Sequence, residues 1–225
     1  VEPPFEDKCP KAVMDKLTKA YAEKDIEECY EEIVSLYNDK ILFSEDDYEK
    51  FALSAIASPV KAMCLHIAHD CNLRCEYCFA STGDFGVGRK LMDFETGKRA
   101  IDFLIEKSAN RKFLELDFFG GEPLMNFQVV KDLVAYARSI EKEHNKNFRF
   151  TLTTNGMLID DDVIEFSNRE MSKVVLSLDG RKDVHDRLRV DYMGRGSYDT
   201  IVPKFQEFVK RRGNKNYYMR GTFTH

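Results

Sequence analysis

Three cysteines, Cys71, Cys75 and Cys78, lie within eight residues of one another in the spacing C-x3-C-x2-C. So many thiols in so short a segment indicate a metal site rather than disulfides. Three thiolates can hold a cubane iron–sulfur cluster whose remaining iron stays open to an exogenous ligand. The spacing therefore favours a 4Fe–4S cluster with one open coordination position.

A structural zinc ion is the main alternative for these thiols. Zinc prefers four tetrahedral ligands, so a fourth would have to come from a neighbouring residue. Common zinc ribbons, however, pair two C-x2-C segments, and this sequence has no second one. Three residues just before the loop could supply the fourth zinc ligand: Cys64, His66 and His69. The remaining alternative is that the three cysteines are reduced structural thiols that bind no metal.

Glycine-rich or polar turns follow three further strand-like segments. They are residues 120–123 (Gly-Gly-Glu-Pro), 154–156 (Thr-Asn-Gly) and 179–180 (Asp-Gly). In parallel α/β folds the carboxyl ends of the strands form the active face. We therefore expect these turns and the cysteine loop to lie around one site.

From about residue 60 onward, strand-like and helix-like segments alternate five times. In one of them, Leu114, Leu116 and Phe118 fall on one side, and Glu115 and Asp117 fall on the other. The alternation predicts an α/β fold with a parallel sheet, open or rolled into a partial barrel, because too few residues remain for an eight-unit barrel of ~250 residues. The predicted strands are 63–68, 113–119, 148–153, 173–178 and the segment from 217, and the predicted helices are 94–107, 127–143, 161–168 and 198–212.

The N-terminal segment differs from the remainder of the chain. Apolar residues at helical spacing predict helices over 11–21 and 26–37, followed by a short strand at 41–43. Ser44 is expected to cap a third helix with an acidic first turn. Such a segment is a small appendage, and the α/β domain follows it. The two expected domains are 1–58 and 59–225.

Composition and charge describe a globular protein and exclude several function classes. The chain has 225 residues, of which 43% are hydrophobic and 32% are charged. Its net charge of −5 gives no electrostatic basis for binding nucleic acid or an anionic membrane. No apolar run approaches the ~20 residues of a membrane helix, and the N-terminus does not resemble a signal peptide. We therefore expect a cytoplasmic protein with reduced cysteines.

The two ends of the chain are unusual for a complete protein. The first residue is Val1 rather than methionine, and the chain ends at His225, inside a strand-like run. Natural domains seldom end in the middle of a strand. We therefore expect the sequence to be a fragment of a longer protein.

The four motifs together resemble those of the radical S-adenosylmethionine (radical SAM) enzymes. The cysteine spacing with Tyr77 before its last cysteine, and residues 120–123, 154–156 and 177–180, are similar to motifs after four successive strands of that superfamily, in the same order. The resemblance implies a partial (β/α)6-type barrel, truncated here after the fifth strand, preceded by a winged-helix remnant. It also implies two cofactors, one 4Fe–4S cluster and S-adenosylmethionine.

Residues 65–88 and 117–127 narrow the resemblance to the SPASM/twitch branch, and within it to the maturases of six-cysteine-in-forty-five peptides. Those enzymes cleave S-adenosylmethionine reductively to a 5′-deoxyadenosyl radical and form thioether crosslinks in a ribosomally made precursor peptide. The resemblance therefore implies a thioether-forming peptide maturase. Two alternatives remain, another SPASM-type maturase such as an anaerobic sulfatase maturase, and a non-enzymatic, zinc-stapled peptide-binding module.

The resemblance implies that the three cysteines ligate the cluster and that the turn at 120–123 binds the methionine end of the cofactor. Gly120 and Gly121 lack a Cβ, so a ligand can approach their backbone closely. Glu122, together with that backbone, can bind the methionine ammonium, and Pro123 closes the turn. No protein side chain is assigned a catalytic role, since the cluster and the cofactor carry the chemistry.

Four further contacts to the cofactor are expected on the same resemblance. Asn155 would contact the ribose, Ser177 would donate a hydrogen bond, and Tyr77 would contact the adenine, mainly through its backbone. An arginine of the run 185–189 could pair with the cofactor carboxylate in a bidentate way. Within this run, Arg189 is the residue expected to bind the cofactor.

The resemblance also implies partners and further cofactors. The precursor peptide would bind through its leader to the N-terminal segment, and a ferredoxin or flavodoxin would donate the low-potential electron. Auxiliary iron–sulfur clusters are expected only in a missing C-terminal part, because no cysteine follows Cys78.

Overall fold

The computed structural model of the protein describes residues 8–43, 48, 51–52 and 58–223. The chain divides into two compact units, residues 1–58 and residues 59–225. Among the helices so described, none combines the length and the apolar character that a bilayer crossing requires.

Two helices make up most of the described part of the N-terminal unit. They are α1 (Lys11–Leu17) and α2 (Glu23–Asn38), close to the two helices that the apolar spacing predicts. Residues 48 and 51–52 are also helical. The cap predicted at Ser44 and its acidic turn lie outside the described residues.

The short strand predicted at 41–43 is wrong, because the chain turns back at the end of α2. The N–H groups of Ile41 and Leu42 both donate to the carbonyl oxygen of Leu36, at 2.9 and 3.1 Å. Lys40 adopts a left-handed backbone with a φ of 58°. A left-handed residue followed by such bonds closes a helix terminus. The apolar residues that suggested a strand are therefore part of a helix end.

The C-terminal unit is built on one six-stranded sheet with the strand order β2-β1-β3-β4-β5-β6. Neighbouring strands are parallel except β2, which lies antiparallel to β1 at one edge. The strands are β1 (Ala62–His69), β2 (Lys90–Leu91), β3 (Phe113–Gly120), β4 (Asn147–Thr154), β5 (Met171–Ser177) and β6 (Tyr217–Arg220).

Helices connect the parallel strands. They are α3 (Phe94–Lys107), α4 (Phe127–Ile140), α5 (Asp161–Glu170), α6 (Lys182–Leu188) and α7 (Tyr198–Arg211). The predicted α/β fold with a parallel sheet is confirmed. The sequence pattern does not predict β2 or α6, because two and seven residues are too short to show a clear period.

One face of the sheet packs against the helices and forms the core. Leu114, Leu116 and Phe118 of β3 are fully buried, and Phe150 and Leu152 of β4 are buried beside them. Alternate residues of a strand point to opposite faces, so this face collects the apolar half of each strand. Burying each such side chain contributes about 1.5–3 kcal/mol to folding.

The opposite face of the sheet is polar along its middle. Cys64 pairs with Asp117, Asp117 pairs with Thr151, and Thr151 pairs with Lys173 in the strand register. In a barrel filled by its own core these positions would carry branched apolar side chains. Cys64, Asp117 and Lys173 are instead exposed. This inner face is therefore not a packed core.

Arg212, directly after α7, fastens the connections that precede β5 and β6. It is 8% exposed. Its guanidinium donates to four acceptors, namely Ser167 O at 2.8 Å, Asn168 Oδ1 at 3.1 Å, Met171 O at 2.6 Å and Asn216 O at 3.1 Å. Since the bonds to the Ser167 and Met171 carbonyls are buried, no water can replace the guanidinium there.

We predict that Arg212→Met lowers the free energy of unfolding by about 3 kcal/mol, because it removes a charged donor from two buried carbonyl oxygens, those of Ser167 and Met171. Urea unfolding followed by circular dichroism measures the change. Lys210→Met is the matched control, since the Lys210 side chain is 81% exposed. The control should change stability by about 0.5 kcal/mol or less. Equal losses in the two variants would contradict the role given to Arg212.

Candidate functional site

The three cysteines lie on the loop that follows β1, at the edge of the sheet where the parallel strands end. Cys71, Cys75 and Cys78 are unpaired and half-buried, and all three line one cavity. The same cavity is lined by residues from the ends of the other parallel strands and from the segment after α6, among them Gly120, Gly121, Asn155, Ser177, Arg189 and Arg220. The structure thus brings the cysteine loop and the turns after β3, β4 and β5 to one place.

The three thiols suit a cluster better than a single metal ion. Within the described ranges, no three His, Cys, Asp or Glu side chains come close enough together to hold one ion. In a zinc site every sulfur lies about 2.3 Å from the same ion. Each cysteine of a cubane cluster binds a different iron, so its sulfur stands farther from the others. The residues considered as a fourth zinc ligand, Cys64, His66 and His69, do not line the cavity.

Arg74 holds the main chain of the cysteine loop. Its Nη1 donates to the carbonyl oxygens of Cys71 and Leu73, both at 2.6 Å. Its guanidinium lies 3.9 Å from the ring centroid of Tyr192, whose hydroxyl donates to the Cys71 carbonyl oxygen at 3.1 Å. The Arg74 N–H also donates to Val190 O at 2.6 Å. These contacts fasten the loop to the segment that follows α6.

Burial shapes the acidity of the cysteine thiols. It raises the pKa of Cys71 to about 12, although the Leu73 N–H and the Asn155 amide donate to Cys71 Sγ at 3.4 and 3.5 Å and oppose the rise. Burial also raises the pKa of Cys75, against the opposing positive charge of Arg189. Metal ligation must therefore displace protons, and the N–H···S bonds stabilise the thiolate that forms.

Gly120 and Gly121 let the turn after β3 pack directly on the main chain of β1 and the cysteine loop. Gly120 has a φ of 126°, and a Cβ there would lie 2.4 Å from Ala68 O. A Cβ on Gly121 would lie 2.1 Å from Asp70 O. A side chain at either position would therefore displace the cysteine loop. Pro123, which is buried, then begins a short 3-10 helix.

Glu122 is completely buried and does not line the cavity. Its Oε1 accepts from the Leu124 N–H at 3.1 Å and from the Thr154 hydroxyl at 2.8 Å. Its Oε2 accepts from the Asn155 N–H at 2.7 Å. Burial raises the pKa of Glu122 to about 7, and the three donors limit the rise. The carboxyl group therefore braces the turn after β4 from behind the cavity.

Asn155 stands in the wall of the cavity with its side chain fixed against the cysteine loop. Its Nδ2 donates to Asn72 Oδ1 at 2.7 Å in addition to Cys71 Sγ, and its Oδ1 accepts from the Met157 N–H at 3.0 Å. Gly156 follows with a φ of 86°. A glycine suits the sharp turn that this backbone conformation requires.

Ser177 and Arg220 face the cavity from the ends of β5 and β6. They pair with each other in the strand register, and both line the cavity. Neither side chain has a hydrogen-bond partner within the part of the chain that the structure describes. Both groups are therefore available to a ligand. The sequence motifs indicate Ser177 but not Arg220, whose strand has no motif.

The Asp179 carboxylate gathers three segments around the cavity. Its Oδ2 accepts from the Tyr77 hydroxyl and from Arg189 Nε, the latter at 2.8 Å, and its Oδ1 accepts from the Thr222 N–H at 2.8 Å. Burial would raise the pKa of Asp179, but these hydrogen bonds outweigh it and the pKa is lowered. Of the two arginines in the run 185–189, Arg189 lines the cavity, whereas Arg187 lines a different one.

Sequence reasoning misses three residues that support the site. Arg74 and Ser197 are single polar residues outside any recognised pattern. His185 lies in a charged run that is typical of a solvated surface, yet it is completely buried. The sequence does contain a signal for His185: it lies four residues before Arg189, so the two residues share one side of a helical turn.

Residues 65–220, well over half of the chain, match the sequence model of the Radical SAM superfamily. The chain belongs to the radical SAM superfamily. Radical SAM enzymes use a 4Fe–4S cluster and S-adenosylmethionine. The pair of cofactors and the enzyme class implied by the motifs are therefore confirmed for the superfamily.

Three curated relatives show how far the likeness extends. An uncharacterized protein of Methanocaldococcus jannaschii is 34% identical over 63% of this chain and 46% of its own length. The cysteine-type anaerobic sulfatase-maturating enzyme of Clostridium novyi is 31% identical over 59% of this chain and 36% of its own. The radical SAM cyclopropyl synthase TigE of Paramaledivibacter caminithermalis is 27% identical over 85% of this chain and 42% of its own. The chain spans less than half the length of each relative.

Solved structures agree with the radical SAM fold. The structure of hexahistidine-tagged anSMEcpe with bound AdoMet superposes with a TM-score of 0.62 and 24% sequence identity. It covers 72% of this chain and 43% of the other. Native anSMEcpe with bound AdoMet and the Kp18Cys peptide matches with the same TM-score and coverage. At this level of identity, the likeness concerns the fold.

We predict that Glu122 makes the stability of this radical SAM domain fall as pH rises. Its pKa in the folded state lies above the ordinary value of 4.5, so the folded protein holds a proton that the unfolded chain releases. The contribution is complete below about pH 4.5 and is lost by about pH 7, at a cost of up to about 3 kcal/mol. Urea unfolding between about pH 5 and about pH 8 measures it.

Glu122→Gln should lose this part of the pH dependence, because the amide does not titrate. Glu165→Gln is the control, since the Glu165 side chain is 69% exposed and paired only at the surface. The control should keep the wild-type profile. Parallel pH profiles for wild-type and Glu122→Gln proteins would show that Glu122 stays ionised throughout.

Proposed function

We propose that this chain is the cofactor-binding part of a radical SAM enzyme that modifies a ribosomally made precursor peptide. One observation carries the proposal: the three thiols of the C-x3-C-x2-C loop, the backbone of Gly120 and Gly121, and the guanidinium of Arg189 line one cavity. They offer thiolates for three irons, close backbone approach for an ammonium group and a planar donor for a carboxylate.

In this proposal Cys71, Cys75 and Cys78 each ligate one iron of the cluster. Arg74 keeps the loop in shape, and the two N–H groups that donate to Cys71 stabilise its thiolate and tune the cluster. When bound, the cluster and S-adenosylmethionine supply reductive cleavage of a carbon–sulfur bond and, through it, hydrogen abstraction from the substrate. The protein supplies ligation, orientation and a shielded cavity.

The methionine end of the cofactor would lie between the turn after β3 and Arg189. The backbone of Gly120 and Gly121 takes the ammonium, and Glu122 braces this arrangement from behind rather than from within the cavity. Arg189 uses its Nε for Asp179, so its two Nη groups remain for the cofactor carboxylate. The Ser177 hydroxyl adds a further donor.

The nucleoside end would lie along the cysteine loop and the turn after β4. Asn155 is the residue proposed for the ribose, since its side chain already stands between the cysteine loop and the cavity. The Tyr77 hydroxyl is bound to Asp179, which leaves the ring and the main chain of Tyr77 for the adenine.

Relatives and resemblance together support a peptide as the substrate. Two relatives are named as a sulfatase-maturating enzyme and a cyclopropyl synthase, and one solved neighbour holds the Kp18Cys peptide. We assign to this enzyme the formation of a thioether between a cysteine sulfur and an acceptor carbon. That assignment rests on residues 65–88 and 117–127, which resemble the maturases of six-cysteine-in-forty-five peptides.

We assign recognition of the peptide leader to the N-terminal unit, residues 1–58. Its helices α1 and α2 line an apolar cavity of about 280 Å³ that includes Val13, Leu17 and Ile33. Such a surface suits the apolar face of an amphipathic leader. The remaining proposals are a ferredoxin or flavodoxin as electron donor and a cytoplasmic location where thiols stay reduced.

A sulfatase-type maturation is the second candidate function. The likeness in sequence to sulfatase-maturating enzymes favours it. It would use the same cofactor site but oxidise a single cysteine or serine of the target instead of joining two residues.

We predict that the full-length enzyme, reconstituted anaerobically with iron and sulfide, binds about four irons at this site and cleaves S-adenosylmethionine under a strong reductant. Cys71→Ala should lose that iron and the cleavage, because two thiolates cannot hold the cluster. Cys29→Ala is the control, since Cys29 is exposed in the N-terminal unit. The iron content of Cys71→Ala is subtracted from that of the wild type, so iron held by any auxiliary cluster is not counted for this site. Stoichiometric zinc without colour would refute the proposal.

We predict that the enzyme removes two hydrogens from a cysteine-containing precursor peptide and leaves a crosslink. Tandem mass spectrometry after incubation with cofactor and reductant measures both. A crosslinked cysteine resists alkylation, because its sulfur has become a thioether. Oxidation of one cysteine or serine without a crosslink would instead support the sulfatase-type activity.

A further inference from the structure

We infer that His185 and Ser197 are positioning residues for Arg189 and hold its guanidinium at the angle that the carboxylate of S-adenosylmethionine requires. The inference rests on the proposed function, since it takes this cavity as the cofactor site. Neither residue lines the cavity, so both act through Arg189.

A closed circuit of hydrogen bonds connects the four residues concerned. The Asp179 N–H donates to His185 Nδ1 at 3.2 Å, so the ring proton belongs on Nε2. His185 Nε2 then donates to Ser197 Oγ at 2.9 Å, and the Ser197 hydroxyl donates to the carbonyl oxygen of Arg189 at 2.9 Å. Each donor in this series of bonds meets an acceptor, and the series assigns the ring proton of His185 to Nε2.

The Arg189 side chain completes the circuit. Its Nε donates to Asp179 Oδ2 at 2.8 Å, and its main-chain N–H donates to His185 O at 2.9 Å. Within the described ranges, neither of its Nη groups has a partner. A guanidinium bound along its Nε edge presents the two Nη groups together, which is the geometry of a bidentate carboxylate contact.

Burial makes this circuit rigid. His185 is 0% exposed, Ser197 is 1% exposed, and Asp179 and Arg189 are each 8% exposed. Asp179, His185 and Ser197 have partners for their polar side-chain groups, so the network fixes one arrangement, because breaking one of these bonds leaves a buried donor or acceptor unpaired. Burial also lowers the pKa of His185, and the nearby Arg189 charge adds to this effect, so the ring stays neutral and its Nδ1 can accept.

A comparison with Arg187 shows how the hydrogen-bonded circuit directs the Arg189 side chain. It lies two residues before Arg189, in the last turn of α6, but it is exposed and lines a different cavity. No buried partner directs its side chain within the described part of the chain. The difference between the two arginines is therefore the support from His185, Ser197 and Asp179.

The circuit also joins the carboxylate site to the cysteine loop. The Tyr77 hydroxyl donates to the same Asp179 oxygen as Arg189, and the Arg189 guanidinium lies 5.5 Å from the centroid of the Tyr77 ring. Arg189 is thus held in a fixed relation to the loop that carries the cysteines. Loss of His185 leaves the cysteines themselves in place, so cofactor affinity should suffer more than iron content.

We expect His185→Phe to weaken binding of S-adenosylmethionine about tenfold in the anaerobically reconstituted enzyme, while the iron content stays at the wild-type value. Isothermal titration calorimetry measures the affinity, and the KM for the cofactor should rise more than kcat falls. His185→Gln should restore most of the affinity, because an amide can both accept and donate. Ser197→Ala removes only a hydroxyl and tests the same circuit should His185→Phe fail to fold.

Two further measurements separate positioning from a general structural role. Decarboxylated S-adenosylmethionine lacks the group that Arg189 binds, so wild-type and His185→Phe enzymes should bind it equally. Adding His185→Phe to Arg189→Met should weaken binding of S-adenosylmethionine no further, since both changes remove the same contact. Arg187→Met is the control and should bind like the wild type.

The outcomes distinguish this inference from the proposed function. A wild-type enzyme that does not bind S-adenosylmethionine would refute the proposed function itself. If the wild type binds it and the His185→Phe and Ser197→Ala variants bind it as tightly, the positioning role is wrong and the proposed function stands. Equal weakening for the cofactor and its decarboxylated analogue would also overturn the positioning role.

Discussion

The Asp179 carboxylate is the group on which the proposed cofactor site depends most. The cysteine loop is irregular, so polar contacts to neighbouring segments must fix its shape. Asp179 accepts from Tyr77 of that loop, from Arg189 after α6 and from the Thr222 N–H after β6. A buried carboxylate is costly unless it is paired and hydrogen-bonded, and here both oxygens are occupied. Its need for donors therefore joins three segments that are distant in the sequence.

A second buried carboxyl group performs the corresponding task on the other side of the cavity. Glu122 joins the turn after β3 to the turn after β4, through the Thr154 hydroxyl and the Asn155 N–H. Asn155 in turn reaches the cysteine loop at Asn72 and at the Cys71 sulfur. The functional groups in the wall of the cavity are thus held by polar groups behind it. Preorganised support of this kind places donors at little further entropic cost when a ligand binds.

The shared region explains how relatives of different activities can resemble this chain. A sulfatase-maturating enzyme and a cyclopropyl synthase both align with it over less than half of their own length. The part that matches the superfamily model, residues 65–220, contains the cysteine loop and the turns after the parallel strands, which is where the proposed cofactor site lies. The chemistry of radical generation belongs to the cofactors, so this part can stay alike while the substrate changes.

The sequence by itself determined the α/β class, most of the parallel strands and which segments carry the motifs of the proposed cofactor site. These features depend on local order, since alternation along a strand, helical spacing and the cysteine interval can be counted over a few residues. Only the tertiary structure decided which arginine reaches the cavity, where the Glu122 carboxyl points and that His185 is buried. It also corrected the strand expected at 41–43. The correction at 41–43 rests on hydrogen bonds back to Leu36 O, which an apolar run does not reveal. The other outcomes depend on contacts between residues that lie apart in the sequence, such as Tyr77 and Asp179, which are 102 positions apart. Such contacts produce no periodic pattern in the sequence.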